Sequence, residues 1–183
     1  MSIVRVYQEN DPDNVIAQIN DRAVIAEELR KIGVNYERWQ TQDLPDNISD
    51  SDILNAYSNE INRLKIDGGY KSEDIIRLTP DNDQKCDLRN KFLCEHTHSE
   101  DEVRFFVEGS GMFYIHAAGK VYMMLCTSGD LLNVPKNAPH WFDMGENPSF
   151  TCIRLFTSPN GWAANYTGDN IADNFPRFEQ KAA

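Results

Sequence analysis

Apolar positions along the chain repeat with two different periods. In the N-terminal third, Val24, Ile25, Leu29 and Ile32 recur at the three-and-four spacing that gathers side chains on one helix face. Asp21 stands where its carboxylate can accept from the free amides of a first turn, and Gly33 supplies a left-handed stop. A second set, Ile53, Leu54, Tyr57, Ile61 and Leu64, has the same period. Ser49 with Asp52 three residues on resembles a capping box, and Gly68-Gly69 closes the run, so a second helix is expected there. Between the two, VNYERW is short and rich in β-formers, which suits a strand on a sheet edge.

From about Phe92 the texture changes. Short runs of Val, Phe, Tyr, Leu and Ile alternate with Gly, Asn, Asp or Pro, which predicts strands around 103–108, 112–116, 120–126, 131–134, 140–143 and 150–156. The turns between them fall at Gly109-Ser110-Gly111, Ala118-Gly119, Ser128-Gly129-Asp130 and Gly145-Glu146-Asn147-Pro148. Beyond Trp162 the sequence is polar and irregular, and its last residues are expected to fray. The class is therefore mainly β, an antiparallel sandwich or barrel with a few N-terminal helices.

Composition narrows the partners more than the fold. A chain of 183 residues suits one domain over 1–183. Apolar residues at 40% and charged residues at 26% are far from the balance of a disordered tail, and no apolar run has the length of a membrane span. The start, MSIVRVYQENDPDN, lacks the basic and apolar regions of a signal peptide, so the cytoplasm is the default compartment. A net charge of -11 repels phosphate backbones and anionic membranes, which argues against nucleic acid and membrane partners. No long apolar strip is left unexplained, so a monomer is expected. Cys86, Cys94, Cys126 and Cys152 form no C-x-x-C pair and read as packed thiols in a reducing compartment.

The chemistry concentrates in Glu95-His96-Thr97-His98-Ser99-Glu100-Asp101-Glu102-Val103-Arg104. Alternate residues of an extended chain share a face, so His96 and His98 point the same way. Glu102 joins them if the chain bends at Ser99-Glu100-Asp101 and returns as a strand, whereas Asp101 sits in the bend. A fourth donor is His140, delivered by the stiff loop Val134-Pro135-Lys136-Asn137-Ala138-Pro139. Structural zinc sites favour cysteine and closed tetrahedra, while three imidazoles and a carboxylate suit an octahedral first-row metal with two positions left open. The bland alternatives are a solvated polar turn for the cluster and a surface ion pair for Arg104. Two residues beyond a ligand and on its strand face, Arg104 instead projects toward the metal, where its charge could hold an enolate. Phe92, Phe106 and Phe142 flank ligand positions and, with Trp162, are candidates for an apolar pocket wall. His116, in a strand pattern without acidic or histidine neighbours, is left outside the ligand set.

These residues resemble the cupin superfamily. Its first motif has two histidines one residue apart, then a glutamate and a glycine, at the spacing of His96, His98, Glu102 and Gly109; its second is matched by Gly129, Pro135 and His140. Asn90, Asn137 and Met144 replace a glycine, a glycine and an asparagine of the pattern, and Asn137 can keep a left-handed turn. Within cupins the wider text around both motifs resembles the acireductone dioxygenase family of methionine salvage. That resemblance implies a double-stranded β-helix (jelly-roll) barrel and one Fe(II) or Ni(II) per chain. The implied substrates are 1,2-dihydroxy-3-keto-5-methylthiopentene and O2. With iron the implied products are formate and 2-keto-4-methylthiobutyrate; with nickel they are formate, carbon monoxide and 3-methylthiopropionate. Two readings compete: another cupin dioxygenase or isomerase using the same donors, and a non-catalytic cupin that binds a small ligand.

Overall fold

The computed structural model describes residues 1–45, 47–158 and 163–179. It opens with a hairpin that the sequence pattern did not announce, β1 (Ile3–Gln8) and β2 (Asp11–Ile19). Helix α1 (Arg22–Arg30) starts where expected: the Asp21 carboxylate accepts from the amides of Ala23 at 2.9 Å and Val24 at 3.1 Å. It buries Ile25 and Leu29, but Val24 points outward and is exposed. Gly33 takes the left-handed stop, with φ +79°. Among the described residues, strand β3 (Asn35–Arg38) then pairs along one side only, with β8 (Asp130–Val134), as an edge strand.

The expected second helix is interrupted. The chain forms α2 (Asp50–Ala56), capped by Ser49, and α3 (Ser58–Gly68), with Tyr57 at φ -108°, ψ 18° between them. The kink seats the fully buried Tyr57 ring 4.8 Å from Phe105, which itself stacks on Trp39 at 4.4 Å. Tertiary packing at one aromatic thus overrides a continuous helical period. Two further elements had no forecast, β4 (Ser72–Leu78) and α4 (Lys85–Leu93); α4 has no fully buried residue, so no apolar stripe marks it in sequence.

After β5 (His96–Thr97) comes the principal departure from the sequence reading. The turn expected at Gly109-Ser110-Gly111 does not form, and one strand, β6 (Glu102–Ala117), runs straight through it. Its first half pairs with β8 and β10 (Phe150–Phe156), and its second half with β7 (Lys120–Thr127) and β9 (His140–Asp143). A register shift opposite Thr151-Cys152 and Gly109 at φ +76° mark the bend at which the strand passes from one sheet to the other. A Cβ on Gly109 would lie 1.9 Å from the Ser149 carbonyl oxygen, so the close approach itself requires glycine. The expected turn at Ala118-Gly119 does form, with both residues at positive φ as a tight hairpin demands.

One sheet runs β11 (Asn165–Tyr166), β5, β9, β6, β7, β1, β2; the other joins β4, β10, β6, β8 and β3. Between them lies an apolar interior that includes Phe106, Phe113, Met124, Leu132 and Phe142. Outside the second sheet, α2 and α3 cover Val103, Phe105, Leu131 and Ile153. Up to residue 179 the polar C-terminal stretch is more ordered than its composition suggested: after β11, Ile171, Ala172, Phe175 and Phe178 bury themselves against Tyr114, Trp141 and Met123 on the outside of the first sheet, while 180–183, in the end expected to fray, lie outside the described residues. Cys126 and Cys152 are buried as packed thiols should be, whereas Cys86 and Cys94 are exposed. No helix among the described residues is long and apolar enough to cross a membrane.

Candidate metal centre

Two adjacent strands bring the first pair of donors together. His96 of β5 lies directly opposite His140 at the start of β9, which in turn pairs with Ile115 of β6. Glu102 enters at the first residue of β6, opposite Val134, after the bend that separates it from His98. Asp101 stays in that bend, where its carboxylate accepts from the Lys136 amide at 2.9 Å and so steadies the loop leading to His140. The His98 carbonyl holds the same loop through the Asn137 amide at 2.8 Å, and Asn137 adopts the left-handed φ of 63° expected of it.

Together the four side chains are buried, and their donor atoms lie within 4.8 Å of one another. This is the one such group of His, Cys, Asp or Glu found among the described residues. Each imidazole is oriented from behind. Nδ1 of His96 donates to the Cys94 carbonyl at 2.7 Å, that of His98 to Ala163 at 2.8 Å, and that of His140 to Ala138 at 2.8 Å. A carbonyl oxygen only accepts, so Nδ1 carries a proton in all three rings and Nε2 is turned to the centre. The Nε2 atoms of His98 and His140 each stand 3.0 Å from Glu102 Oε2.

Electrostatics favour the donor form of the acid. Burial alone would raise the Glu102 carboxyl, but Arg104's charge and the polar contacts with His140 and His98 outweigh it and hold the group well below the usual carboxylate range. Burial and the neighbouring His140 push His96 down to about 4, which keeps that ring neutral at ordinary pH. Such a set of three anchored imidazoles and one carboxylate fits a divalent first-row ion.

Arg104 lies inside the site, 4% exposed, with Nη2 2.8 Å from Glu102 Oε1 and Cζ 4.6 Å from the centre of the Phe142 ring. A cavity of about 330 Å³ opens onto His96, His98, Glu102 and Arg104, with Phe92 and Phe142 on its walls. Phe106 does not line it. Fully buried, its ring packs in the barrel interior between Phe142 and Phe150, with centroids 6.5 and 6.2 Å away. Trp162 lies outside the described residues.

Sequence reading missed Lys91, Arg154 and Tyr166 on the cavity wall. Arg154 is directly opposite Arg104 across β10 and β6 and holds Asp74 through two hydrogen bonds of 2.8 and 2.6 Å. Alternation along 150–156 would have put it on an inward face, but no motif joined it to the distant histidines. His116 does have acidic neighbours, Glu9 and Glu95, brought to it by the fold rather than by the chain.

A model of the ARD/ARD′ family matches residues 3–164. The chain belongs to this family, that of the acireductone dioxygenases. Among the relatives, an "Acireductone dioxygenase" of Aquifex aeolicus (strain VF5) is 54% identical over 181 residues, covering 98% of each chain. One of Hahella chejuensis (strain KCTC 2396) is 49% identical over 180 residues, covering 98% of this chain and 97% of the relative. A solved structure described as "Acireductone dioxygenase from Bacillus anthracis with cadmium ion in active center" superposes with a TM-score of 0.81 at 31% identity, over 91% of this chain and 98% of that one. Membership in the acireductone dioxygenase family carries with it the cupin barrel and dioxygenase chemistry, and it decides against the non-catalytic reading.

Proposed function

We propose that the chain cleaves 1,2-dihydroxy-3-keto-5-methylthiopentene with O2 at one divalent cation held by Nε2 of His96, His98 and His140 and by the Glu102 carboxylate. One observation carries this: the four donors converge within 4.8 Å while every Nδ1 is committed to a backbone carbonyl. When bound, the cation supplies Lewis acidity that gathers the substrate's enediol oxygens and stabilises their negative charge.

The chain's own side chains supply the rest. Arg104 keeps Glu102 ionised and presents a fixed positive charge to the same cavity, where an enediolate is the complementary ligand. Phe92 and Phe142 offer apolar walls that suit the methylthio tail and limit water around an oxygen-sensitive substrate. Trp162 is a candidate for the same wall from its place in the sequence. We read residues 1–183 as one domain acting as a monomer in the cytoplasm; the network of paired strands supports the first point, and the charge of -11 disfavours nucleic-acid and anionic-membrane partners.

Product choice follows the ion. With Fe(II), breaking the C1–C2 bond gives formate and 2-keto-4-methylthiobutyrate. With Ni(II), loss of C2 as carbon monoxide gives formate and 3-methylthiopropionate. The test is to strip the protein, reconstitute separate samples with Fe(II) and Ni(II), supply substrate and O2, and measure carbon monoxide and keto acid. Carbon monoxide from the nickel sample alone supports the proposal; identical product ratios remove metal-controlled specificity.

A further inference from the structure

His116 is the one histidine outside the metal-donor group, yet its contacts lead back to two of the donors. Its Nδ1 donates to Glu95 Oε2 at 2.8 Å and its Nε2 to Glu9 Oε2 at 2.9 Å. Carboxylates accept and do not donate when ionised, so both ring nitrogens act as donors and the imidazole is clamped from two sides. Glu9 is half exposed, on the turn between β1 and β2, but Glu95 is 3% exposed and immediately precedes His96. Thr167 supplies a further hydrogen bond to that carboxylate, Oγ1 to Oε1 at 2.8 Å, and its amide donates to the Glu95 carbonyl at 3.1 Å.

The backbone of His116 completes the arrangement. Its amide donates to the Pro139 carbonyl at 2.9 Å, so one residue grips the position before His140 with its main chain and the position before His96 with its ring. The carbonyl that orients His96 belongs to Cys94, on the other side of Glu95, so the peptide geometry at Glu95 sets both the ligand and its anchor. A buried carboxylate that loses its cationic partner must move toward water or another donor. At this position, any such movement shifts the segment that carries His96.

We propose that His116 is a positioning residue of the metal centre, which fixes His96 relative to His140 through the Glu95 carboxylate and the Pro139 carbonyl without touching the metal. The inference rests on the ligand assignment above. It places the specificity of the effect on the ring, since substitution at 116 leaves the amide in place.

The experiment compares wild type, His116→Ala, Glu95→Gln and the double variant in two measurements: the dissociation constant for Co(II), by competition with a chelator, and the visible spectrum of the Co(II)-loaded protein. Circular dichroism and Tm monitor folding. Wild type must bind one Co(II) per chain; if it does not, the ligand assignment fails and not this proposal alone. Each single variant should still bind one Co(II), about tenfold more weakly, the lower end of what an outer partner of a metal ligand contributes, since this bond reaches His96 only through the adjacent Glu95, and with a shifted spectrum. The double variant should be no weaker than the weaker single one, because both changes break the same link. Glu95→Gln keeps the shape and the Thr167 contact, so it reads the link even if His116→Ala folds poorly. A lowered Tm with unchanged affinity and spectrum in both single variants would make His116 a brace for the fold only. Additive losses in the double variant would overturn the proposed coupling.

Discussion

At Arg104 the guanidinium binds Glu102 Oε1 and lies over Phe142, so one side chain both stabilises the acidic donor and faces the cavity. Arg104→Ala is expected to retain metal at saturating concentration and to lower kcat/KM by about 10²–10³-fold, the scale of losing one positioned charge stabiliser. Steady-state kinetics on reconstituted protein checks this, and unchanged kcat/KM would leave Arg104 with the ion pair alone. Phe142 can be tested from behind. A Cβ on Gly111 would stand 2.3 Å from Phe142 Cζ, and Gly111 is not among the positive-φ residues, so Gly111→Ala should fold but displace the ring. The expected result is a raised KM with bound metal unchanged. Residue by residue, the donors were legible because three of them lie within seven positions and alternate along an extended chain. Phe106 was misplaced for the same reason: it shares the inward face of Glu102 and Arg104, but farther along β6 that face looks into the apolar interior and not into the cavity.

Elements differ in how much of their fate is local. Helix α1 is set by an Asp21 cap and an apolar stripe; Asp21→Ala should destabilise the protein by about 1 kcal/mol, read from chemical denaturation. Strand β6 is set by the sheets around it. Glycines at 109 and 111 have the composition of a turn, yet partners on both sheets hold them in a bent strand, and sequence alone cannot weigh partners that lie far along the chain. Gly109→Ala combines a positive φ with a clash against the Ser149 carbonyl oxygen and should cost about 1–3 kcal/mol from the backbone conformation alone, with more from the clash. Thermal unfolding checks this, and a Tm equal to that of wild type would overturn the requirement for glycine at 109. Helix α4 escaped notice because it has no buried stripe, although it carries Lys91 and Phe92 to the cavity.

Across the whole molecule, Asp143 joins parts that are far apart in sequence. It is fully buried, receives two hydrogen bonds from Arg89 of α4 at 2.8 and 3.1 Å, and accepts from the amides of Gly145 at 2.8 Å and Phe178 at 2.9 Å. Asp143 is fully buried but Arg89 reaches solvent, so the charge left in Asp143→Ala can rehydrate; the loss of its hydrogen bonds should still lower Tm and speed hydrogen exchange in α4 and around Phe178. Arg154 and His116 belong to the same class of long-range contact: their partners Asp74, Glu9 and Glu95 lie 80, 107 and 21 positions away, and no local motif points to them. One cation on His96, His98, Glu102 and His140 is proposed to make this barrel a dioxygenase. Fe(II) is titrated into the metal-stripped protein under anaerobic conditions, and the initial rate of O2-dependent acireductone consumption is then measured. No turnover is expected without metal, then a linear rise and a plateau at one equivalent per chain in wild type, with no rise in His140→Ala. Turnover by the stripped protein, or an undiminished plateau in His140→Ala, would rule out this metal centre as the seat of the reaction.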